Sequence, residues 1–200
     1  MITSVSVQTD IVLSKQLVVD ACIAKAAGSR PDEEFLMLDE VTALSPKNCR
    51  DTLQAIERLG YRVVMTPEIK TEWDNHQRGF ALRWLSAMTR RSKIETIPSP
   101  HNDKLRDKLT SLIGQQIGKY SVTEETYAKM LKDWHLLEAA FVTDKAILTL
   151  DKVRFHYKAI SAQFDDIRTI TWVNPDAPEE EAVSWLEAGA MPEAHRMLGS

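Results

Sequence analysis

Apolar residues along this chain fall into short runs and into spaced stripes, and the two patterns alternate. LVVD, YRVVM, KIETIP, AILTLD and TITWVNP are short and rich in aliphatic residues. Such runs predict strands, the most apolar of them buried on both faces. Between them apolar positions recur three and four apart. ACIAKAAG reads as a helical turn or two closed by Gly28, and FLMLDEVTAL as a helix. Ser45-Pro46 opens a helix that ends at Gly60.

Thr66-Pro67 supplies an N-cap and a first-turn proline for one long helix to about Arg91, with Ile69, Trp73, Phe80, Trp84 and Met88 on a stripe. KLRDKLTSLIGQQIG is amphipathic. Ser121 with Glu124 forms a capping box for a helix striped by Tyr127, Met130, Trp134, Leu137 and Phe141. VRFHYKAISAQF is also helical. Strands alternating with helices predict an α/β fold, a central parallel sheet of four to five strands with helices on both faces. The domain runs over residues 1–175. Residues 176–200, acidic and proline-bearing, form a C-terminal appendage with a short helix around Glu179 to Glu187, packed on the domain or on a partner.

Composition narrows the function classes. A chain of 200 residues with 44% hydrophobic and 27% charged content suits one compact domain. No apolar run approaches the roughly 20 residues of a membrane span, and MITSVSVQTDIVLSKQ lacks the pattern of a signal peptide, so a cytoplasmic protein without a membrane partner is expected. Cys22 and Cys49 form no CxxC and read as small buried hydrophobes. A net charge of −4 argues against coating nucleic acid by bulk electrostatics. Local phosphate contacts stay open to Arg83, Arg90, Arg91 and Lys93, and to Lys129 and Lys132. Trp73, Trp84 and Trp134 read as core.

The chemistry lies in acids placed where α/β sites form. Ligands of open α/β sheets bind beyond the carboxyl ends of the strands. LVVD puts Asp20 there and AILTLD puts Asp151 there. Glu72 lies in the first turns of the helix leaving YRVVM. Asp133 shares a helix face with Leu136, Leu137 and Ala140, where a carboxylate is costly unless something cationic offsets it. Clustered carboxylates raise one another's pKa, and a hard divalent cation relieves that penalty. Oxygen-only ligation favours Mg²⁺ or Mn²⁺ over zinc, and such an ion suits phosphodiester hydrolysis. Thr149 shares the strand face of Asp151, and Lys152 follows it. His76 stands one helical turn after Glu72, where local packing competes with a ligand role. EWDNH is not the HExxH of a zinc protease. Asp74, Glu138, Asp144, Asp165 and Asp166 read as structural or solvated charges.

In this order LVVDACIA, TEWDNH, KDWHLLEAA and AILTLDK resemble the motifs of PIN-domain nucleases, including VapC-like ribonuclease toxins. The likeness spans about Leu17 to Pro175. It implies a Rossmann-like PIN domain in which Asp20, Glu72, Asp133 and Asp151 bind one or two Mg²⁺ or Mn²⁺ ions and cleave RNA to leave a 5′-phosphate. The partners it implies are RNA and, for a toxin, an antitoxin protein; a homodimer is a further expectation. The chain is longer than a compact VapC toxin. A catalytically silent PIN-like module that binds RNA or protein is the alternative. An aspartyl-phosphate phosphatase ranks below both, because the position two residues after Asp20 is Cys22.

Overall fold

A computed structural model of the chain describes residues 15–29, 45–116 and 123–200. The helix expected over FLMLDEVTAL, and Ser121 of the expected capping box, lie outside these residues. Five strands, β1 (Gln16–Val19), β2 (Arg62–Met65), β3 (Ile94–Thr96), β4 (Ala146–Leu148) and β5 (Thr171–Val173), form one sheet in the order β3-β2-β1-β4-β5. Every pairing is parallel. The arrangement is α/β and consistent with a Rossmann-like fold. The apolar runs become these strands because helices cover the sheet: Leu17, Val18, Val19, Val63, Val64, Ile147 and Leu148 are fully buried. Each such aliphatic side chain contributes roughly 1.5–3 kcal/mol.

Helix α1 (Ala21–Gly28) follows β1, and α2 (Ser45–Leu59) leads into β2. Gly60 closes α2 in the left-handed region at φ 76°, and Tyr61 N–H bonds back to the Ile56 carbonyl at 3.1 Å. After β2, Thr66 caps α3 (Pro67–His76) by accepting from Ile69 N–H at 3.3 Å.

The single long helix expected from Thr66 to Arg91 is instead two, α3 and α4 (Gly79–Arg90). The reason is close packing at the break. A Cβ on Gly28, at the end of α1, would lie 2.7 Å from the Arg78 carbonyl oxygen, and Gly79 turns the chain with φ 48°. The stripe survives the break: Ile69, Trp73, Trp84 and Met88 are buried, Phe80 packs against the core, and the Trp73 and Trp84 rings stack at 5.7 Å.

After β3 come α5 (Asp103–Gln116), α6 (Glu124–Lys132) and α7 (Trp134–Phe141). Thr123, not Ser121, caps α6, accepting from Thr126 N–H at 3.1 Å. The helix expected to carry the stripe from Tyr127 to Phe141 is also interrupted, at Asp133. In an unbroken helix consecutive side chains point about 100° apart, since one turn takes 3.6 residues. Asp133 and Trp134 are both buried at the break, with Trp134 against Phe141 and Phe164.

Beyond β4, α8 (Arg154–Ser161) precedes β5, and α9 (Ala182–Glu187) lies in the C-terminal segment. That segment covers the β5 edge. Met197 bridges to Thr171, and Leu198 N–H bonds to the Ile170 carbonyl at 3.0 Å. Covering the edge explains why β5 is buried throughout while the opposite edge strand, β3, is not. No helix among the described residues is long and apolar enough to cross a membrane.

Candidate active site

The strand order reverses direction between β1 and β4: the chain leaves β1 toward β2 on one side and β4 toward β5 on the other. Such a switch point opens a crevice beyond the carboxyl ends of the two strands. Asp20 and Asp151 flank it. Asp20 continues β1 into the ladder, its N–H bonding to the Leu148 carbonyl at 2.9 Å, and its side chain caps α1 through Cys22 N–H at 3.1 Å. Asp151 closes a turn, accepting from Val153 N–H at 2.8 Å.

Asp20, Glu72, Asp133 and Asp151 all line one cavity of about 170 Å³ at this point. They come from four separate places: the end of β1, helix α3, the break between α6 and α7, and the loop after β4. Among the described residues no arginine lines this cavity; the basic groups at its wall are Lys25, Lys132 and His76.

Thr149 links the two strand-end acids. Its hydroxyl donates to Asp20 Oδ2 at 2.6 Å and accepts from Asp151 N–H at 3.0 Å, and the residue is fully buried. Cys22, expected to be a small buried hydrophobe, is only partly buried and lines the site. Its Sγ donates to Asp20 Oδ2 at 3.0 Å and accepts from Leu150 N–H at 3.2 Å. Burial, and then the Asp20 charge, push the Cys22 thiol well above its usual range, so it stays protonated and is no nucleophile.

Asp133 is the electrostatic anomaly. Burial first, then the charges of Asp151 and Asp20, raise its carboxyl to about 8, against a smaller opposing effect of Lys132. Its Oδ2 is buried without a hydrogen-bond partner. Behind it, Tyr157 is fully buried, donates to the Met130 carbonyl at 2.6 Å, and is driven well above its usual range by burial and by Asp133 and Asp151.

Glu72 sits at the cavity edge, with His135 Nε2 3.4 Å from its Oε2. His135, two residues past Asp133, thus joins the site through Glu72, and its Nδ1 lies 2.8 Å from the Lys132 carbonyl. Among the described residues no group of three or more His, Cys, Asp or Glu side chains is drawn together as a ready-made metal cage. The four acids ring a common space without meeting at one point. In donor chemistry they fit a hard divalent ion, since the set is all oxygen and includes the unpartnered Asp133 Oδ2.

Other charges singled out in the sequence have local partners. Glu138 is buried and pairs with Arg106 at 3.1 Å, Asp74 pairs with Lys70, and Asp166 pairs with Lys108. Asp165 lies near Arg168, and Asp144, at the opening end of β4, accepts from Gln16 N–H at 2.7 Å. Arg91 pairs with Glu57, Lys93 donates to the Gly60 carbonyl, and Lys129 pairs with Glu125. Arg83, Arg90 and Lys152 are exposed and do not line the acid cavity. Cys22 and Lys25 carried a weak sequence signal, lying in the first turns after Asp20; Tyr157 carried none.

Comparison with known proteins finds no matching family model, no matching curated protein and no matching solved structure.

Proposed function

We propose that this protein is a metal-dependent endoribonuclease of the PIN-domain type, in which Asp20, Glu72, Asp133 and Asp151 hold Mg²⁺ or Mn²⁺. One observation carries the reading: four carboxylates from four distant segments line one cavity at the switch point, where burial and the neighbouring Asp151 and Asp20 charges outweigh Lys132 and raise the Asp133 carboxyl to about 8. When bound, such an ion lowers the pKa of a coordinated water and stabilises charge developing on a phosphoryl oxygen. The chain's own groups supply the rest. Thr149 fixes the orientation of Asp20 and of the Asp151 loop. Lys25 and Lys132 at the wall attract the phosphate backbone. With Cys22 protonated, the attacking group is water. The VapC-like toxin paired with an antitoxin is the narrower form of the same proposal.

A second reading, a silent module that binds RNA or protein, is favoured by one feature: Glu72 faces His135, and among the described residues no three side chains form a ready cage. Incubating single-stranded RNA with the protein and Mg²⁺ or Mn²⁺ separates the two. The nuclease reading expects divalent-dependent cuts bearing 5′-phosphates, abolished in Asp20→Asn and Asp151→Asn proteins of unchanged circular dichroism. Undiminished cutting by the folded double variant, or no cutting by the wild type with either ion, rejects it.

A further inference from the structure

A second cavity of about 540 Å³ adjoins the acid cavity and shares Glu72 and Lys132 with it. That volume suits a small-molecule-sized unit such as a nucleoside. Its walls are chemically divided. Pro67 and Leu131 offer apolar surface, Arg106 and Lys132 offer cations, and Glu68 offers a carboxylate.

Glu68 is held in place. It stands in the first turn of α3, and its Oε1 accepts from Ser99 Oγ at 2.6 Å. That bond, foremost, keeps its carboxyl below the usual range, so it is ionised at neutral pH. An ionised carboxylate only accepts hydrogen bonds. Among RNA bases guanine alone presents two adjacent donors, N1–H and the N2 amino group, on its pairing edge, and single-stranded RNA is read on that edge. Adenine, cytosine and uracil each set an acceptor lone pair beside their donor, against which the carboxylate is repelled.

We infer that this second cavity is a nucleotide subsite in which Glu68 selects guanine next to the scissile phosphate, with Pro67 and Leu131 against the base and Lys132 spanning the two cavities. The inference rests on the nuclease reading for its place beside the scissile bond, but not for the binding itself.

The test therefore has two arms. In the first, guanosine, adenosine, cytidine and uridine 5′-monophosphates are titrated into the full chain without divalent ions. A good bidentate pair discriminates by roughly tenfold or more, so guanosine monophosphate should bind at least about tenfold tighter than the others. Glu68→Gln should collapse that ratio to near one with an unchanged melting temperature, whereas Lys132→Ala should weaken all four alike. Equal binding of the four, or a preference that survives Glu68→Gln, overturns the subsite. In the second arm, oligoribonucleotides varied at one position are cleaved. A guanine requirement beside the cut, lost in Glu68→Gln, supports the inference, and cleavage indifferent to both neighbouring bases overturns its placement. Guanosine monophosphate selectivity without cleavage by the wild type would sink the nuclease reading alone.

Discussion

Two buried carboxylates in this molecule are equally hidden and are treated in opposite ways. Glu180, 6% exposed, lies between Arg154 and Arg196, each of which pairs with its carboxylate. Arg154 also donates to the His195 carbonyl at 2.6 Å, so the three charges strap the C-terminal segment onto the start of α8. Asp133, 7% exposed, faces two further aspartates and has one buried oxygen without a partner. The fold therefore neutralises an acid where the acid's task is to hold structure together. At the switch point the acids face one another with only Lys25, Lys132 and His76 at the wall and no arginine among the described lining residues, the arrangement that the proposed divalent site would compensate.

The sharpest way to break the comparison is through activity. Asp20→Asn or Asp151→Asn should lower RNA cleavage by more than about 100-fold, since even residues that merely orient metal ligands are worth roughly 10- to 100-fold. Initial rates on single-stranded RNA would measure it. Equal rates would place these acids with Glu180, as structural charges.

Removing the compensated acid should act on stability instead. Glu180→Ala leaves Arg154 and Arg196 buried without their counter-ion, a change that costs about 3–5 kcal/mol. Urea denaturation would report it. A loss under about 1 kcal/mol would mean that the strap is not held by these charges.

Thr149→Val tests the link between the two strand-end acids. It should reduce cleavage by about 10- to 100-fold, because the hydroxyl positions Asp20 and the Asp151 loop without touching substrate, and lower stability by about 1–3 kcal/mol for the two hydrogen bonds lost at a buried residue. Unchanged initial rates would mean that the link does not position the acids.

Asp133 should show the opposite sign from Glu180. Its carboxyl titrates near 8 in the folded chain and near 4 when unfolded. The unfolded chain thus loses this proton first. The stability contributed by the protonated form is complete below about pH 4 and falls as pH rises through about 8. Asp133→Asn mimics the protonated acid. Without divalent ions it should stabilise the fold at pH 7 by about 1–3 kcal/mol and flatten that pH dependence, while removing activity. Thermal melts from pH 4 to 9 would check it.

The strands and the strand-end acids were legible because both are local. LVVD and AILTLD declare a buried strand and its carboxyl end within a few residues, and parallel order brings the ends together. Helix continuity was not legible. The break at Arg78-Gly79 depends on a neighbour distant in the chain, Gly28, and the break at Asp133 falls inside a continuous apolar stripe. A 3.6-residue stripe continues across a kink almost unchanged, so periodicity passes over both. The same limit hid Cys22, whose thiol matters only because Thr149 and Leu150 meet it across the sheet. It hid Tyr157 too, which reads as an ordinary helical aromatic until its burial, and then the charges of Asp133 and Asp151, are found to raise its hydroxyl well above the usual range.

The most direct test of the central claim is calorimetric titration of Mn²⁺ into the purified chain at pH 7. The account predicts saturable binding that raises the melting temperature and disappears in the Asp20→Asn/Asp151→Asn protein. Absence of binding at millimolar Mn²⁺, or binding of equal strength by that variant, would contradict it.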